Sequence, residues 1–345
     1  MRRLLALVVM LGVVAWLVWV FAWPYGPQQE RFVEIPSGTT TRALAEQLHG
    51  SGIIASPLGL EVLRLAGGRS LKAGEYRFDH PAKVTEIYAR LVRGDVYTVA
   101  LTIPEGANLF DVAARVESAG LGTHAAFLHA AQTDTRFATR FDPRATSLEG
   151  FLFPATYRFS RHVTPDDMLR TMVRRFGLEA AALGLAGTDP AVGQAQNQAP
   201  DSLHRLLTLA SLVERETPIP AERPLVASVF FNRLARNMPL ETDPTVIYAA
   251  LLRGQYRGTI YQSDLHFDSP YNTYRYAGLP PGPICNPGAV SLAAVLHPAQ
   301  TDYLYFVAAG SDPLGHSRFA ATLAEHARNV AAYRAARHSV GSPPQ

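Results

Sequence analysis

Glu214 and Glu216 bracket Arg215 at the end of an apolar run, directly before Thr217-Pro218 and Pro220. Leu203, Leu206, Leu207, Ala210 and Val213 recur ahead of them at helical spacing, so the sequence predicts a helix over 203–216. Proline cannot continue the hydrogen-bond ladder and stops it there. Two residues apart, the glutamates leave such a helix on roughly opposite faces, and one pocket cannot easily use both. The partial negative charge of a helix C-terminus raises a nearby carboxyl's pKa, and burial in an apolar wall raises it further. A carboxyl that keeps its proton at neutral pH can serve as a general acid. Glu216 is the favoured candidate, because it stands where the helix ends and a cleft can open. The competing reading pairs both glutamates with arginines such as Arg215 or Arg223.

Four polar motifs follow. They are Phe230-Phe231-Asn232-Arg233-Leu234, Glu241-Thr242-Asp243-Pro244-Thr245-Val246, Ser269-Pro270-Tyr271-Asn272-Thr273-Tyr274 and Gly278-Leu279-Pro280-Pro281-Gly282. Asp-Pro and Pro-Pro-Gly make rigid turns. The Asn, Thr, Asp and Tyr around them offer donors, acceptors and flat faces suited to sugar hydroxyls and rings.

Other chemistries find little support. The eleven histidines are scattered, without His-Glu-x-x-His or another ligand spacing, so no metal is expected. No Gly-x-Ser-x-Gly elbow, Walker loop or dinucleotide fingerprint occurs, and Ser211 lacks a histidine placed by a motif. With a net charge of +3 and no basic run, nucleic-acid binding has no electrostatic footing. Cys285 is the single cysteine, which rules out an intramolecular disulfide and reads as a small buried residue.

The elements that must carry these residues begin with Leu4–Trp23, an uncharged stretch behind Arg2 and Arg3. It predicts a single transmembrane helix over 4–23, with residues 1–3 cytoplasmic and the remainder outside the cytoplasm. Next comes an internal repeat. Val33-Glu34-Ile35-Pro36-Ser37-Gly38 matches Leu101-Thr102-Ile103-Pro104-Glu105-Gly106, and Gly52-Ile53 matches Gly120-Leu121. Each copy reads as strand, Pro-x-Gly turn and glycine-stopped helix, giving duplicated small α+β modules at 31–98 and 99–183. Residues 184–202 read as a linker, 203–335 as a catalytic α+β domain and 338–345 as a tail.

In this order the motifs resemble one family, the endolytic murein transglycosylases, also called YceG-like or MltG. Ala210-Ser211-Leu212-Val213-Glu214-Arg215-Glu216 and the four polar motifs carry the resemblance, with Tyr303-Leu304-Tyr305-Phe306-Val307 after them. Upstream, Glu149-Gly150-Phe151-Leu152-Phe153-Pro154 and Lys72-Ala73-Gly74-Glu75-Tyr76-Arg77-Phe78 extend it over nearly the whole chain. It implies a single-pass inner-membrane protein with a periplasmic LysM-like module and catalytic domain, and no cofactor. It further implies a lyase that cleaves the MurNAc–GlcNAc bond within nascent peptidoglycan strands. That reaction leaves 1,6-anhydro-MurNAc ends and terminates elongation beside peptidoglycan synthases. Glu216 is then the catalytic residue. The expected substrate-binding set is Glu149, Glu214, Asn232, Thr242, Asp243, Thr245, Tyr271, Asn272 and Tyr274. Glu241 departs from the Gln usual before Thr-Asp-Pro in this family.

Two rival readings differ in class. One is a glycoside hydrolase that pairs Glu216 with Asp243 or Glu214. The other is a non-catalytic scaffold that holds glycan through its repeated modules.

Overall fold

The computed structural model describes residues 2–185, 201–309 and 315–340. The chain divides into two compact units, 1–99 with 158–161 and 100–157 with 162–345. The fold is α+β throughout.

In the first unit, α1 (Arg2–Phe21) precedes β1 (Arg31–Ile35), α2 (Thr41–Gly50), α3 (Pro57–Gly67), β2 (Gly74–Phe78) and α4 (Val84–Arg93). β1 and β2 pair antiparallel with Arg31 opposite Phe78 and Ile35 opposite Gly74. Strand alternation turns Val33, Ile35, Tyr76 and Phe78 onto one buried face. Leu44 and Leu48 of α2, Leu60 of α3 and Ile87 and Leu91 of α4 pack into the same core. The Thr40 side chain caps α2 by accepting from the Ala43 N–H at 3.2 Å. Glu75, nearly buried, is held by Arg161, whose Nε donates to Oε2 at 3.0 Å.

The N-terminal expectation needs correction. A helix does form over Arg2–Phe21, but among the described residues no helix is long and apolar enough to cross a membrane. The expected single-pass transmembrane anchor over 4–23 is therefore not supported. At its far end Val20 is buried, and the α3 residue Gly59 leaves room for it: a Cβ there would meet Val20 Cγ1 at 2.8 Å.

The second unit opens with β3 (Val99–Ile103), α5 (Leu109–Ser118), α6 (His124–Thr133), β4 (Ala155–Phe159) and α7 (Pro165–Ala182). β3 and β4 form a two-stranded sheet, with the Thr102 and Thr156 hydroxyls 2.9 Å apart. β3, its turn and α5 repeat the order of β1, its turn and α2, with Gly38 and Gly106 both left-handed (φ 84° and 77°). Only a residue without Cβ takes that turn at no steric cost. A capping box between Asn108 and Asp111 starts α5.

The rest of this unit is α8 (Asp201–Glu216), α9 (Arg223–Ala235), α10 (Asp243–Leu252), α11 (Ala289–Leu296), β5 (Tyr305–Ala308), β6 (Ser317–Ala320) and α12 (Leu323–Val340). α8 packs against both α9 and α11. Leu207, Ala210 and Val213 of α8, Val226, Val229 and Phe230 of α9, and Leu292 and Val295 of α11 are all buried. β5 and β6 pair antiparallel and α12 packs on both. Of the expected linker only 184–185 and 201–202 are described, and the two at the far side already belong to α8. The expected tail overlaps the end of α12, which runs to Val340; 341–345 lie outside the described residues.

Candidate active site

α8 ends at Glu216, and the chain turns away at Thr217-Pro218, where the Thr217 hydroxyl accepts from the Ile219 N–H at 3.1 Å. The helix thus delivers its two glutamates to different places. Glu214 is buried and saturated: Oε1 accepts from Arg223 Nη2 at 2.8 Å and Oε2 from the Gly288 N–H at 3.0 Å. Glu216 faces a cleft of about 320 Å³ and is half-buried.

Elements from several parts of the chain supply the cleft's other walls. α9 contributes Arg233, the loop before α10 contributes Leu240 to Thr242, Asp243 opens that helix, and Tyr274 comes from the Ser269–Tyr274 segment. Phe306 of β5 and His326 of α12 complete it. Arg233 fixes the loop from beneath. Its Nη1 donates to the Pro239 and Leu240 carbonyls at 3.0 and 3.1 Å and to Glu241 Oε2 at 3.0 Å. Its Nε donates to the Leu304 carbonyl at 2.7 Å, which ties β5 to the same guanidinium.

Glu241 sits in the left-handed region at φ 53°, a conformation uncommon for glutamate. That turn brings Thr242 to the N-cap position of α10 and sets Asp243 in its first turn. The Thr273 hydroxyl accepts from the Thr242 N–H at 3.0 Å, and the Tyr274 hydroxyl donates to Asp243 Oδ1 at 2.7 Å. The Thr242 hydroxyl is buried in the cleft wall without a hydrogen-bond partner among the described residues.

Burial pushes the Glu216 carboxyl up to about 8, the negative charge of Asp243 adds to that, and Arg233 opposes it. Burial is one of the two causes read from the sequence; the charge of Asp243 is a cause that reading did not name. Glu216 is therefore largely protonated at neutral pH, unpaired among the described residues, and open to whatever enters the cleft. Burial and the hydrogen bond to Asp243 raise the Tyr274 phenol, which stays a donor.

Of the residues expected from sequence, the cleft gathers Glu216, Thr242, Asp243 and Tyr274. The others stand behind it. Asn232 Nδ2 donates to the Thr301 and Tyr303 carbonyls at 2.7 and 3.0 Å, fastening the chain ahead of β5. The Thr245 hydroxyl donates to the Thr242 carbonyl at 2.7 Å, and its side chain is wholly buried. Asn272 is also wholly buried and bonds the Leu265 and Phe267 carbonyls. The Tyr271 ring packs on Tyr248 at 5.1 Å. Sequence reasoning missed Arg233, Phe306 and His326 as cleft residues. A signal for the last existed, since Thr322 and Glu325 form a capping box that starts α12 at Leu323, three residues before His326.

Glu149 is 2% exposed and does not reach the cleft; Oε2 accepts from the Leu109 N–H at 3.0 Å, at the start of α5. Burial pushes its carboxyl up to about 8 from an ordinary 4.5. The folded protein then holds a proton that the unfolded chain releases above about pH 4.5. Its contribution to stability is full below that pH and is lost as pH rises toward 8. Glu149→Gln should remove that slope. Urea unfolding at pH 5 and pH 8 is expected to show a loss of a few kcal/mol in the parent and a smaller loss in the variant. Equal losses in both would assign the slope to other groups.

A protonated carboxyl without a partner, facing a cleft rimmed by a tyrosine, a threonine and a second carboxylate, defines an enzyme that works by acid catalysis. Comparison with known proteins narrows this. A model of the YceG-like family matches residues 33–332, and the chain belongs to that family. An endolytic murein transglycosylase of Bacillus subtilis strain 168 is 34% identical over 310 residues, 85% of this chain and 82% of its own length. One from Streptococcus pneumoniae R6 is 30% identical over 334 residues, 87% of this chain but 57% of the relative. The crystal structure of a yceG-like protein from Listeria monocytogenes superposes with a TM-score of 0.56 at 32% identity, covering 88% of this chain and 99% of that one. The curated relatives are thus named as enzymes of one kind, lytic transglycosylases.

Proposed function

We propose that this chain is an endolytic murein transglycosylase whose acid is Glu216. It acts on peptidoglycan strands in the cell wall, breaks the MurNAc–GlcNAc bond within a strand and leaves a 1,6-anhydro-MurNAc end. The single observation that carries this reading is the raised, unpaired carboxyl of Glu216 in an open cleft. Protonated Glu216 donates to the glycosidic oxygen as positive charge develops at the anomeric carbon. The resulting carboxylate takes the proton of the sugar's own 6-hydroxyl, which closes onto that carbon. One group serves as acid and then as base, and each step balances without a cofactor. Asp243, held by Tyr274, keeps Glu216 protonated and lies where the developing charge can feel it.

The first unit and the repeated β3–α5 segment fit a supporting role, holding glycan in a LysM-like manner for the second unit. Cutting nascent strands ends their elongation, which places the enzyme's work beside peptidoglycan synthases.

A second reading has one observation in its favour. Asp243 shares the cleft with Glu216, so a water activated by Asp243 would make the enzyme a hydrolase. Product mass separates the two. Digestion of purified glycan strands should yield fragments lighter than the hydrolytic products by one water. Fragments carrying that water would establish hydrolysis, and no cutting of intact sacculi by folded protein would leave a binding scaffold.

A further inference from the structure

We infer that a second pocket of the second unit binds, through Arg115 and Arg215, the free carboxylates of the peptide stems that hang from the muramic acid of peptidoglycan. The inference rests on the glycan reading above and adds to it the part of the substrate that is not sugar. The pocket holds about 410 Å³, more than the cleft at Glu216. One face of α5 forms a wall: Asp111, Ala114, Arg115 and Ser118 recur along it at helical spacing. Val112, Ala113 and Val116 of the same helix are buried, so the helix is fixed from behind. The turn over Pro104–Ala107 and Arg215 of α8 supply the other sides.

Two carboxylates and two guanidiniums line this pocket, and they are not equally free. Asp111 Oδ2 accepts from the Asn108 N–H at 3.1 Å in the capping box that starts α5. Glu105 Oε2 accepts from Arg223 Nη1 at 3.4 Å. Arg115 is exposed, and among the described residues its side chain has neither a hydrogen bond nor an ion pair. Arg215, also exposed, makes one long hydrogen bond among them, from Nη1 to the Gly106 carbonyl at 3.3 Å. That bond holds the guanidinium at the pocket and leaves its other N–H groups open. The pocket thus offers two solvent-reachable guanidinium forks, whose planar donors match carboxylates. The Ser118 hydroxyl donates to the Ala114 carbonyl at 2.8 Å, which leaves its oxygen to accept an amide N–H of a peptide.

Position ties the pocket to the strand. Arg215 and Glu216 are consecutive, with Cα atoms about 3.8 Å apart, and one lines the pocket while the other lines the cleft. The helix sends their side chains about 100° apart, so the two openings flank the end of α8. The bond cut in the proposed reaction belongs to muramic acid, the sugar that carries the stem. A stem of about four residues spans about 13 Å, so a strand in the cleft can lay its stem across to Arg215 and Arg115.

Binding is read in the full chain carrying Glu216→Gln, so that no strand is cut. Three probes of alternating N-acetylglucosamine and N-acetylmuramic acid separate the sources of carboxylate. One carries tetrapeptide stems with free carboxylates, one the same stems amidated, and one no peptide, its only carboxylate being the lactyl group. The first should bind about ten-fold or more tighter than the other two, the value of one charge-assisted hydrogen bond. Arg115→Gln and Arg215→Gln, each added to that chain, should bring the preference to within about two-fold. Arg115→Lys, which keeps the charge without the planar fork, should retain part of it. Unfolding midpoints should stay near the parent's, since both side chains are exposed. Equal binding of the three probes overturns the proposal, and so does a preference that survives both glutamine variants. Peptide-free strands that bind as tightly as the free stems and weaken in Arg115→Gln would assign the pocket to the lactyl group and overturn the stem assignment. If Arg115→Gln does not fold, Arg215→Gln carries the same comparison. Cutting of peptide-free strands by the chain with Glu216 in place sustains the glycan reading whichever way the pocket falls. Failure to cut or bind any strand removes both.

Discussion

Glu216→Gln should lower turnover of purified glycan by about two to four orders of magnitude while leaving the fold intact. Glutamine matches the carboxyl in size and can still hydrogen-bond in the cleft, but it has no proton to give the glycosidic oxygen. Unfolding should not suffer, because Glu216 has no ion pair among the described residues to lose and its burial opposes ionisation. The same reasoning sets a pH profile. With the carboxyl pushed up to about 8, the acid is intact through neutral pH, and turnover should fall about ten-fold per unit above that. A variant with near-parental turnover, confirmed folded by circular dichroism, would remove Glu216 from the acid role. A parental rate still flat at pH 10 would do the same.

The second large effect lies two residues away and is of another kind. Glu214→Ala should cost about 3–5 kcal/mol of stability, because it leaves Arg223 charged and buried. Arg223 is 5% exposed, and its remaining carboxylate neighbour, Glu105, stands 3.4 Å off. The Gly288 N–H would lose its acceptor at the same time. Replacing both partners with apolar residues, as in Glu214→Leu with Arg223→Met, should cost less than the single change. Urea unfolding of the three variants measures this. Folded Glu214→Ala should keep far more turnover than Glu216→Gln; the reverse order would mean that the two carboxylates had been assigned the wrong way round.

That contrast shows what sequence carries and what it lacks. The apolar spacing from Leu203 to Val213 and the prolines after Glu216 define α8, and the angle between residues two apart on a helix sends the two glutamates to different walls. These are local facts, legible in one stretch of chain. Pro36-x-Gly38 and Pro104-x-Gly106 are local in the same way, since each turns the chain through a left-handed glycine without outside help. The cleft's remaining walls come from distant stretches, and polarity alone does not tell a wall from its supports. Asn272 and Asp243 look alike in sequence as polar turn residues. Only the packing shows one bonded to the Leu265 and Phe267 carbonyls and the other facing Glu216. Glu149 misled for a further reason. Its surroundings in sequence suit a ligand site, but the Leu109 N–H that it serves is forty residues earlier. The anchor was misjudged from composition: absence of charge set its expected length, while the described apolar helix falls short of a span.

Arg233 gives the cleft a property that no single wall has. Pro239 and Leu240 on one rim and Leu304 on the other are far apart in the chain, yet their carbonyls share one guanidinium. The two rims are thereby yoked, and a displacement of either is transmitted to its counterpart through a few ångströms of rigid, planar cation. Changes on the two sides should accordingly fail to add, each partly spending the same tether. Tolerance to variation in the loop before α10 is set in part by the backbone ahead of β5, so compensating changes belong across the cleft and not beside the original lesion.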